Sequence, residues 1–257
     1  MKRVIINKIP TILIEPQTIT QDTKLVIWLP GLTMCKEDLI ENLNDLSSMG
    51  FLAISIDAWQ HGERKVDNSP EEMIERIFSN FYNNMWPILG QTVLNIKEII
   101  DHILKAYNIS NKVFIGGLSM GGDIAIATAI LDKRISCIAS MCSTPDWKRP
   151  GMKDYNNPEL LMETGNPDSY ATSFYNQFDP ITHLDSYSYL PPISFECGEI
   201  DFHVPVDGAI QFKNKLLKFY KNEPEKININ IHKNTGHQST AEMWQNCKNW
   251  FRKYDIK

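Results

Sequence analysis

The chain alternates between short, almost continuous apolar runs and longer stretches in which apolar residues recur every three or four positions. The first pattern predicts strands that are buried on both faces, and the second predicts amphipathic helices. Because the two alternate along most of the chain, the sequence predicts an α/β fold with a mostly parallel sheet of about eight strands and helices on both faces. The predicted buried strands are 24–29, 51–56, 112–116, 134–140, 193–197 and 226–232.

Two segments near the N-terminus and one long helical segment complete this prediction. Residues 3–6 and 11–15 are expected to pair antiparallel at an edge of the sheet. Residues 70–107 are expected to be largely helical, with Ser69 as the N-cap, and Pro87 is expected to kink or break this helix. Later helices are predicted at 206–221 and 239–253.

Composition and charge narrow the range of partners. A net charge of −5 argues against nucleic acid and anionic membranes, and no apolar run reaches the roughly 18 residues that suggest a membrane span. The N-terminal segment lacks the pattern of a signal peptide. Five scattered cysteines without a Cys-x-x-Cys pair predict reduced thiols in a cytoplasmic protein and no zinc site. No pattern in the sequence predicts a cofactor.

The segment that carries chemistry follows the strand predicted at 112–116. It reads Gly117-Leu118-Ser119-Met120-Gly121, which is the Gly-x-Ser-x-Gly spacing of a nucleophile elbow, a sharp turn from strand to helix. Glycines on both sides leave room where a Cβ would crowd that turn, and the N-terminus of the next helix favours negative charge beside the serine. A phosphate-binding loop is the alternative, but neither its lysine nor a Gly-x-Gly-x-x-Gly spacing is present.

A serine nucleophile needs a base, and the base needs an acid that orients it. In a parallel sheet, the loops that follow the strands meet at one edge. The loop after 193–197 offers Glu199 and Asp201 as the acid, and the loop after the last strand offers His237 as the base. The chain order from Ser119 onwards is the one expected of α/β-hydrolases. Asp201 is favoured by loop position, and Glu199 is the alternative acid.

An oxyanion hole needs two backbone N–H groups that point at the developing charge. The amide of Met120 follows the nucleophile and supplies one, and the turn after 24–29 is expected to supply the other from Leu32. The alternative for this turn is an ordinary Pro-Gly turn. Residues expected to line a substrate pocket are Trp59, His61, Trp147 and His203.

Together these segments resemble bacterial α/β-hydrolases, specifically the esterases of the dienelactone-hydrolase and prolyl-oligopeptidase-like group. The matching segments are 29–32, 57–64, 117–122, 198–205 and 236–237. The resemblance implies that Ser119 is the nucleophile, Asp201 the orienting acid and His237 the base, with Leu32 and Met120 as oxyanion donors. Relatives often have His where this chain has Pro30, and true dienelactone hydrolases use cysteine as the nucleophile. The serine therefore favours ordinary ester hydrolysis.

The length favours a single domain over 1–257, and residues 144–190 are expected to form a cap-like insertion, because relatives carry a cap at this place. The resemblance is not specific for a substrate. Because the insertion has no arginine cluster beyond Lys148 and Arg149, the expected function is hydrolysis of carboxylic esters with small to medium uncharged acyl chains. Thioesterase, acylaminopeptidase and acyltransferase activities use the same triad, although 257 residues leave no room for the propeller that such peptidases usually carry. A non-catalytic ligand-binding protein is the rival from another class. A small-molecule ester is the expected partner, and homodimer formation is left open.

The sequence leaves two possible roles open both for the insertion and for the segment 61–64. The insertion contains aromatic residues that could form one wall of a pocket, or a satellite hydrophobic cluster under a long loop, and the two readings are compatible. The segment 61–64 is expected to be a structural turn with an ion pair, and a substrate contact is its alternative.

Overall fold

The computed structural model describes residues 1–255, which contain one eight-stranded sheet in the order β1-β2-β4-β3-β5-β6-β7-β8. β1 and β2 pair antiparallel at one edge, β2 pairs antiparallel with β4, and the remaining pairs are parallel. The predicted fold class is therefore confirmed. The strands are β1 (Lys2–Ile6), β2 (Ile9–Ile14), β3 (Leu25–Leu29), β4 (Leu52–Ile56), β5 (Val113–Leu118), β6 (Ile135–Met141), β7 (Ile193–Gly198) and β8 (Ile227–His232).

Helices cover both faces of this sheet, and the strand side chains alternate between them. In β3, Ile27 packs into the larger apolar core and Trp28 into the smaller core on the opposite face, and both are fully buried. This alternation explains why the strand is apolar at every position. The helices are α1 (Ile40–Ser48), α2 (Pro70–Ser79), α3 (Phe81–Tyr107), α4 (Met120–Leu131), α5 (Ser169–Phe178), α6 (Asp207–Leu216) and α7 (Ala241–Tyr254).

The break in the long helical segment lies at a different residue from the one predicted. α2 ends before Asn80, whose side chain accepts a hydrogen bond from the N–H of Asn83 and so caps α3. α3 then continues through Pro87, which is buried. A break at the proline was therefore wrong. Proline removes one backbone hydrogen bond, and packing of α3 against α4 and α5 outweighs that local cost.

The segment 144–190, predicted to be an insertion, is anchored to α3 and to the core. α5 lies so close to α3 that a Cβ added at Gly90 would be 2.1 Å from Cδ1 of Phe174. The indole of Trp86 donates a hydrogen bond to the carbonyl of Trp147, whose own N–H donates to the carboxylate of Asp179 at 2.8 Å. These contacts place the start of the insertion beside the edge of the sheet where β5 and β6 end.

The anchoring carboxylate of Asp179 leads to a prediction about stability and pH. The side chain is fully buried, and burial raises the pKa of Asp179 from 3.8 to about 7, with the charge of Asp146 adding to the effect. The folded protein therefore retains a proton that the unfolded chain releases above about pH 4. Its contribution to stability is complete below that pH and is lost as the pH rises to about 7.

Replacement of Asp179 by asparagine keeps the oxygen that accepts from Trp147 and removes the titration. Relative to the wild type, Asp179→Asn is expected to gain about 2 kcal/mol of unfolding free energy between pH 5 and pH 8. Urea unfolding at the two pH values measures this gain. Asp185→Asn is the matched control, because the side chain of Asp185 is 91% exposed. An equal effect of Asp179→Asn at both pH values would contradict the assignment.

Candidate active site

Ser119 lies on a sharp turn between the end of β5 and the first residue of α4. Its backbone is in an unusual conformation with φ of 51° and ψ of −118°. Neighbouring backbone approaches so closely that a Cβ at Gly117 would be 2.5 Å from the carbonyl carbon of Gly121, and one at Gly121 would be 2.3 Å from the oxygen of Leu29. Only glycine fits both positions, so the turn depends on these two residues.

Ser119, His237 and Asp201 form one continuous chain of hydrogen bonds. Oγ of Ser119 is 2.9 Å from Nε2 of His237, and Nδ1 of His237 is 2.7 Å from Oδ2 of Asp201. The carboxylate is buried, and its other oxygen accepts the N–H groups of His203 and Val204 at 3.0 and 2.9 Å. Backbone contacts thus fix the carboxylate, and the carboxylate in turn fixes the imidazole ring.

The loops after β7 and β8 meet closely enough to bring the carboxylate and the imidazole together. A Cβ at Gly198 would lie 2.4 Å from the oxygen of Thr235, so this position tolerates only glycine. Glu199, the alternative acid, accepts the N–H of Asn234 at 2.9 Å. Its carboxylate therefore ties the two loops together, while Asp201 is the group that contacts His237.

A cavity of about 230 Å³ opens beside Ser119. Leu32 and Met120 line it together with the serine, and so does His203, whereas most of the remaining wall is apolar. Burial lowers the pKa of His203 to about 4, and the nearby His237 adds to this effect, so the ring is neutral at physiological pH. The further lining residues are Gly31, Thr33, Met34, Ile74, Phe78, Met85, Leu118, Cys142, Arg149, Tyr155, His237, Gln238 and Ser239.

Three residues expected in the pocket lie outside this lining. Trp59 is 37% exposed, and the guanidinium of Arg64 lies 4.7 Å above its ring. His61 is fully buried, with Nδ1 hydrogen-bonded to the carbonyl of Trp59, and burial lowers its pKa. Trp147 packs in the core. The side chains of His61 and Trp147 are buried, whereas that of Trp59 contacts Arg64 at the surface. Sequence position near the sheet edge therefore did not suffice to place these residues in the cavity.

The segment 57–64 takes part in a network of hydrogen bonds and ion pairs that supports the turn after β3. The carboxylate of Asp57 accepts the backbone N–H of Lys36 at 3.0 Å, its ammonium at 2.8 Å and the N–H of Glu63 at 2.9 Å. The side chain of Glu63 also binds this ammonium, at 2.7 Å. These contacts link the β4 turn to the segment just beyond Leu32, which agrees with a structural role for 61–64.

Sequence reasoning missed several residues of the cavity wall. Ile74 and Phe78 lie on α2, Met85 on α3, and Arg149 in the insertion. Tyr155 also lines the cavity, and it is one of the aromatic residues of the insertion that were expected to be able to form a pocket wall. On the helices, an apolar stripe has the same spacing whether it packs on a core or lines a cavity.

Within the described residues, no cluster of three or more His, Cys, Asp or Glu side chains could hold a metal ion.

A serine on a strand-to-helix turn, at the carboxyl edge of this mostly parallel sheet, defines the α/β-hydrolase class. Residues 79–254 match the prolyl oligopeptidase family, and the chain belongs to that family. It is therefore a hydrolase of the group that contains serine esterases and peptidases. Nowhere in residues 1–255 is a helix both long and apolar enough to span a bilayer.

Comparison with individual proteins supports the same class. The chain is 22% identical to "Putative esterase YitV" of Bacillus subtilis (strain 168) over 238 residues, which cover 90% of this chain and 89% of that protein. The crystal structure of TT1662 from Thermus thermophilus superposes with a TM-score of 0.78 at 17% identity, covering 100% and 98% of the two chains. Est1E from Butyrivibrio proteoclasticus, solved with ferulic acid, has a TM-score of 0.68 at 16% identity over both full chains.

Proposed function

We propose that this protein is a serine carboxylesterase that cleaves esters of small to medium uncharged acyl groups through an acyl-enzyme. The observation that carries the proposal is the hydrogen-bond chain from Ser119 through His237 to Asp201, with distances of 2.9 and 2.7 Å. A nucleophile, a base and an orienting acid at these distances satisfy the geometric requirement for acyl transfer. Membership of a hydrolase family adds independent support.

In the proposed reaction, Oγ of Ser119 attacks the ester carbonyl while Nε2 of His237 takes its proton. Asp201 accepts the Nδ1–H bond, holds the ring in the required tautomer and stabilises the imidazolium that forms. His237 then donates the proton to the departing alcohol, which leaves the acyl group on the serine. A water molecule, deprotonated by the same ring, attacks the acyl carbonyl and releases the acid.

The negative charge on the carbonyl oxygen is assigned to the backbone N–H groups of Leu32 and Met120. Both residues line the cavity beside Ser119, and Met120 is the first residue of α4. The positive end of the helix dipole therefore adds to the stabilisation of the oxyanion. A single donor of this kind typically contributes about 10²–10³-fold to the rate of acyl transfer.

The cavity sets an expectation for the length of the acyl chain. The cavity measures about 230 Å³, and its wall is mostly apolar. For nitrophenyl esters of increasing chain length, kcat/KM is expected to rise through short chains, because each buried methylene contributes about 0.8 kcal/mol, and to fall once the chain exceeds the cavity. Ser119→Ala serves as the blank.

The same assay includes anilides of N-acetylated amino acids, because the family also contains peptidases. We expect these amides to be poorer substrates than the short alkyl esters. A strict preference for the acylated amino-acid anilides, or for negatively charged acyl groups, would contradict the carboxylesterase proposal.

A further inference from the structure

Within residues 1–255, Arg149 is the one permanently charged residue that lines the cavity. It belongs to the insertion, is only 7% exposed, and packs with its guanidinium 5.1 Å above the ring of Phe81. Its backbone has a φ of 48°, a left-handed conformation that is uncommon for arginine. A long cationic side chain is thus held in an otherwise mostly apolar wall, at the expense of an unfavourable backbone conformation.

Most of the hydrogen-bonding capacity of this guanidinium is unused by the protein. It has five N–H donors, and within residues 1–255 its one hydrogen bond goes from Nη2 to Oδ2 of Asp123 at 2.5 Å. Asp123 is fully buried in the first turn of α4, and its other oxygen accepts the N–H of Thr144. Arg149 lines the cavity, and its side chain is 6% exposed.

The charges around the guanidinium indicate which ligand group it fits. Asp123 forms an ion pair with Arg149 and balances its charge. His203, which lines the cavity together with His237, is neutral. An uncharged acceptor oxygen can accept hydrogen bonds from the remaining N–H groups of Arg149 without changing the net charge of the Arg149–Asp123 pair. A carboxylate would instead add a negative charge to a cavity whose lining, among the described residues, holds no second Lys or Arg to offset it.

We propose that Arg149 is a specificity-determining residue that binds an uncharged acceptor oxygen, such as a ketone, ether or amide oxygen, on the acyl chain of the substrate. This inference rests on the proposed function, because it assumes that the cavity holds the acyl group. The proposed substrates are therefore narrower than those that the cavity volume alone would allow. They are esters whose acyl chain carries an oxygen in addition to those of the ester group.

The rival role for Arg149 is a structural tie between the insertion and α4 through Asp123. A tie would affect all substrates alike, since it acts on the shape of the whole site. A substrate contact would affect only those acyl chains that present the acceptor oxygen. The difference between the two roles therefore lies in a ratio of kcat/KM values for matched esters.

The test uses nitrophenyl esters of keto acids, with the ketone at successive positions along the chain, each paired with the straight-chain ester of the same length. For the best position, the ratio of kcat/KM for the keto ester to that for the alkyl ester is expected to fall about 10- to 100-fold in Arg149→Met, because a hydrogen bond to a charged group is lost. The keto-to-alkyl ratio in the wild type is divided by the same ratio in Arg149→Met. Differences in the intrinsic reactivity of the two esters cancel in this quotient.

Three variants complete the design. Lys148→Met removes a neighbouring cation outside the cavity lining and should leave the ratio unchanged. The double variant Asp123→Asn/Arg149→Met leaves no unpaired buried carboxylate. If Arg149→Met fails to fold, the same kcat/KM ratio is measured in this double variant. Arg149→Lys retains the charge without the planar fork and is expected to retain part of the preference.

An unchanged ratio in folded Arg149→Met, or in the double variant, would overturn the inference and leave the esterase proposal intact. A preference of the wild type for the half-ester of a dicarboxylic acid over the keto esters would overturn the choice of an uncharged oxygen. If the wild type hydrolyses neither the keto nor the alkyl esters, the proposed function itself fails.

Discussion

Replacement of His237 by alanine is expected to lower kcat for a short-chain nitrophenyl ester by at least about 10³-fold. Nε2 of this ring lies 2.9 Å from Oγ of Ser119, and in the proposed reaction no other group takes the proton of the serine. Without the base, the hydroxyl remains protonated and attacks slowly, although the oxyanion donors are intact. Steady-state hydrolysis by purified wild type and variant measures the loss.

His102→Ala is the matched control for this variant. His102 lies on an exposed face of α3, so removal of its imidazole should leave kcat within a few-fold of the wild type. A loss of only a few-fold in His237→Ala would mean that another group acts as the base.

Replacement of Asp201 by asparagine is expected to lower kcat by about 10⁴-fold, the size of loss typical of this change in a serine triad. The amide keeps the oxygen that accepts the N–H groups of His203 and Val204, so the loop should retain its shape. Towards His237, however, an amide N–H replaces an acceptor oxygen now 2.7 Å from Nδ1, which favours the wrong tautomer of the ring. Thermal unfolding and kcat, measured on the same preparation, separate this effect from misfolding.

Glu199→Gln gives the matched comparison, since Glu199 was the alternative acid in the sequence. Its carboxylate accepts a single N–H, from Asn234, and an amide oxygen can accept the same bond. The variant is expected to retain kcat within a few-fold. If Glu199→Gln were the more damaging of the two substitutions, the acid would have to be reassigned.

Much of the site could be predicted because its parts have local sequence signatures and the topology brings them together. The turn at Ser119 requires glycine on both sides, and that requirement is visible in the sequence. Asp201 and His237 each follow a predicted strand, and parallel strands end at one edge, so their proximity followed from the predicted sheet. The structure brings all three within hydrogen-bond distance.

The cavity wall could not be predicted, because it depends on how helices and the insertion pack. Phe78 lines the cavity from α2, while Trp147, which has an equally apolar side chain, is enclosed in the core. No local pattern separates these two outcomes. The position of Arg149 depends in addition on its partner Asp123, 26 residues earlier in the chain. Likewise, packing decided that α3 continues through Pro87.

The proposed function requires that one hydroxyl, that of Ser119, is the activated nucleophile of a hydrolytic site. The most direct test is reaction with a fluorophosphonate, followed by intact-protein mass spectrometry and peptide mapping. The wild type should gain a single adduct, mapped to Ser119, and folded Ser119→Ala should gain none. A folded wild type that remains unlabelled, or an adduct that persists on another residue in Ser119→Ala, would contradict the assignment of Ser119 as the nucleophile.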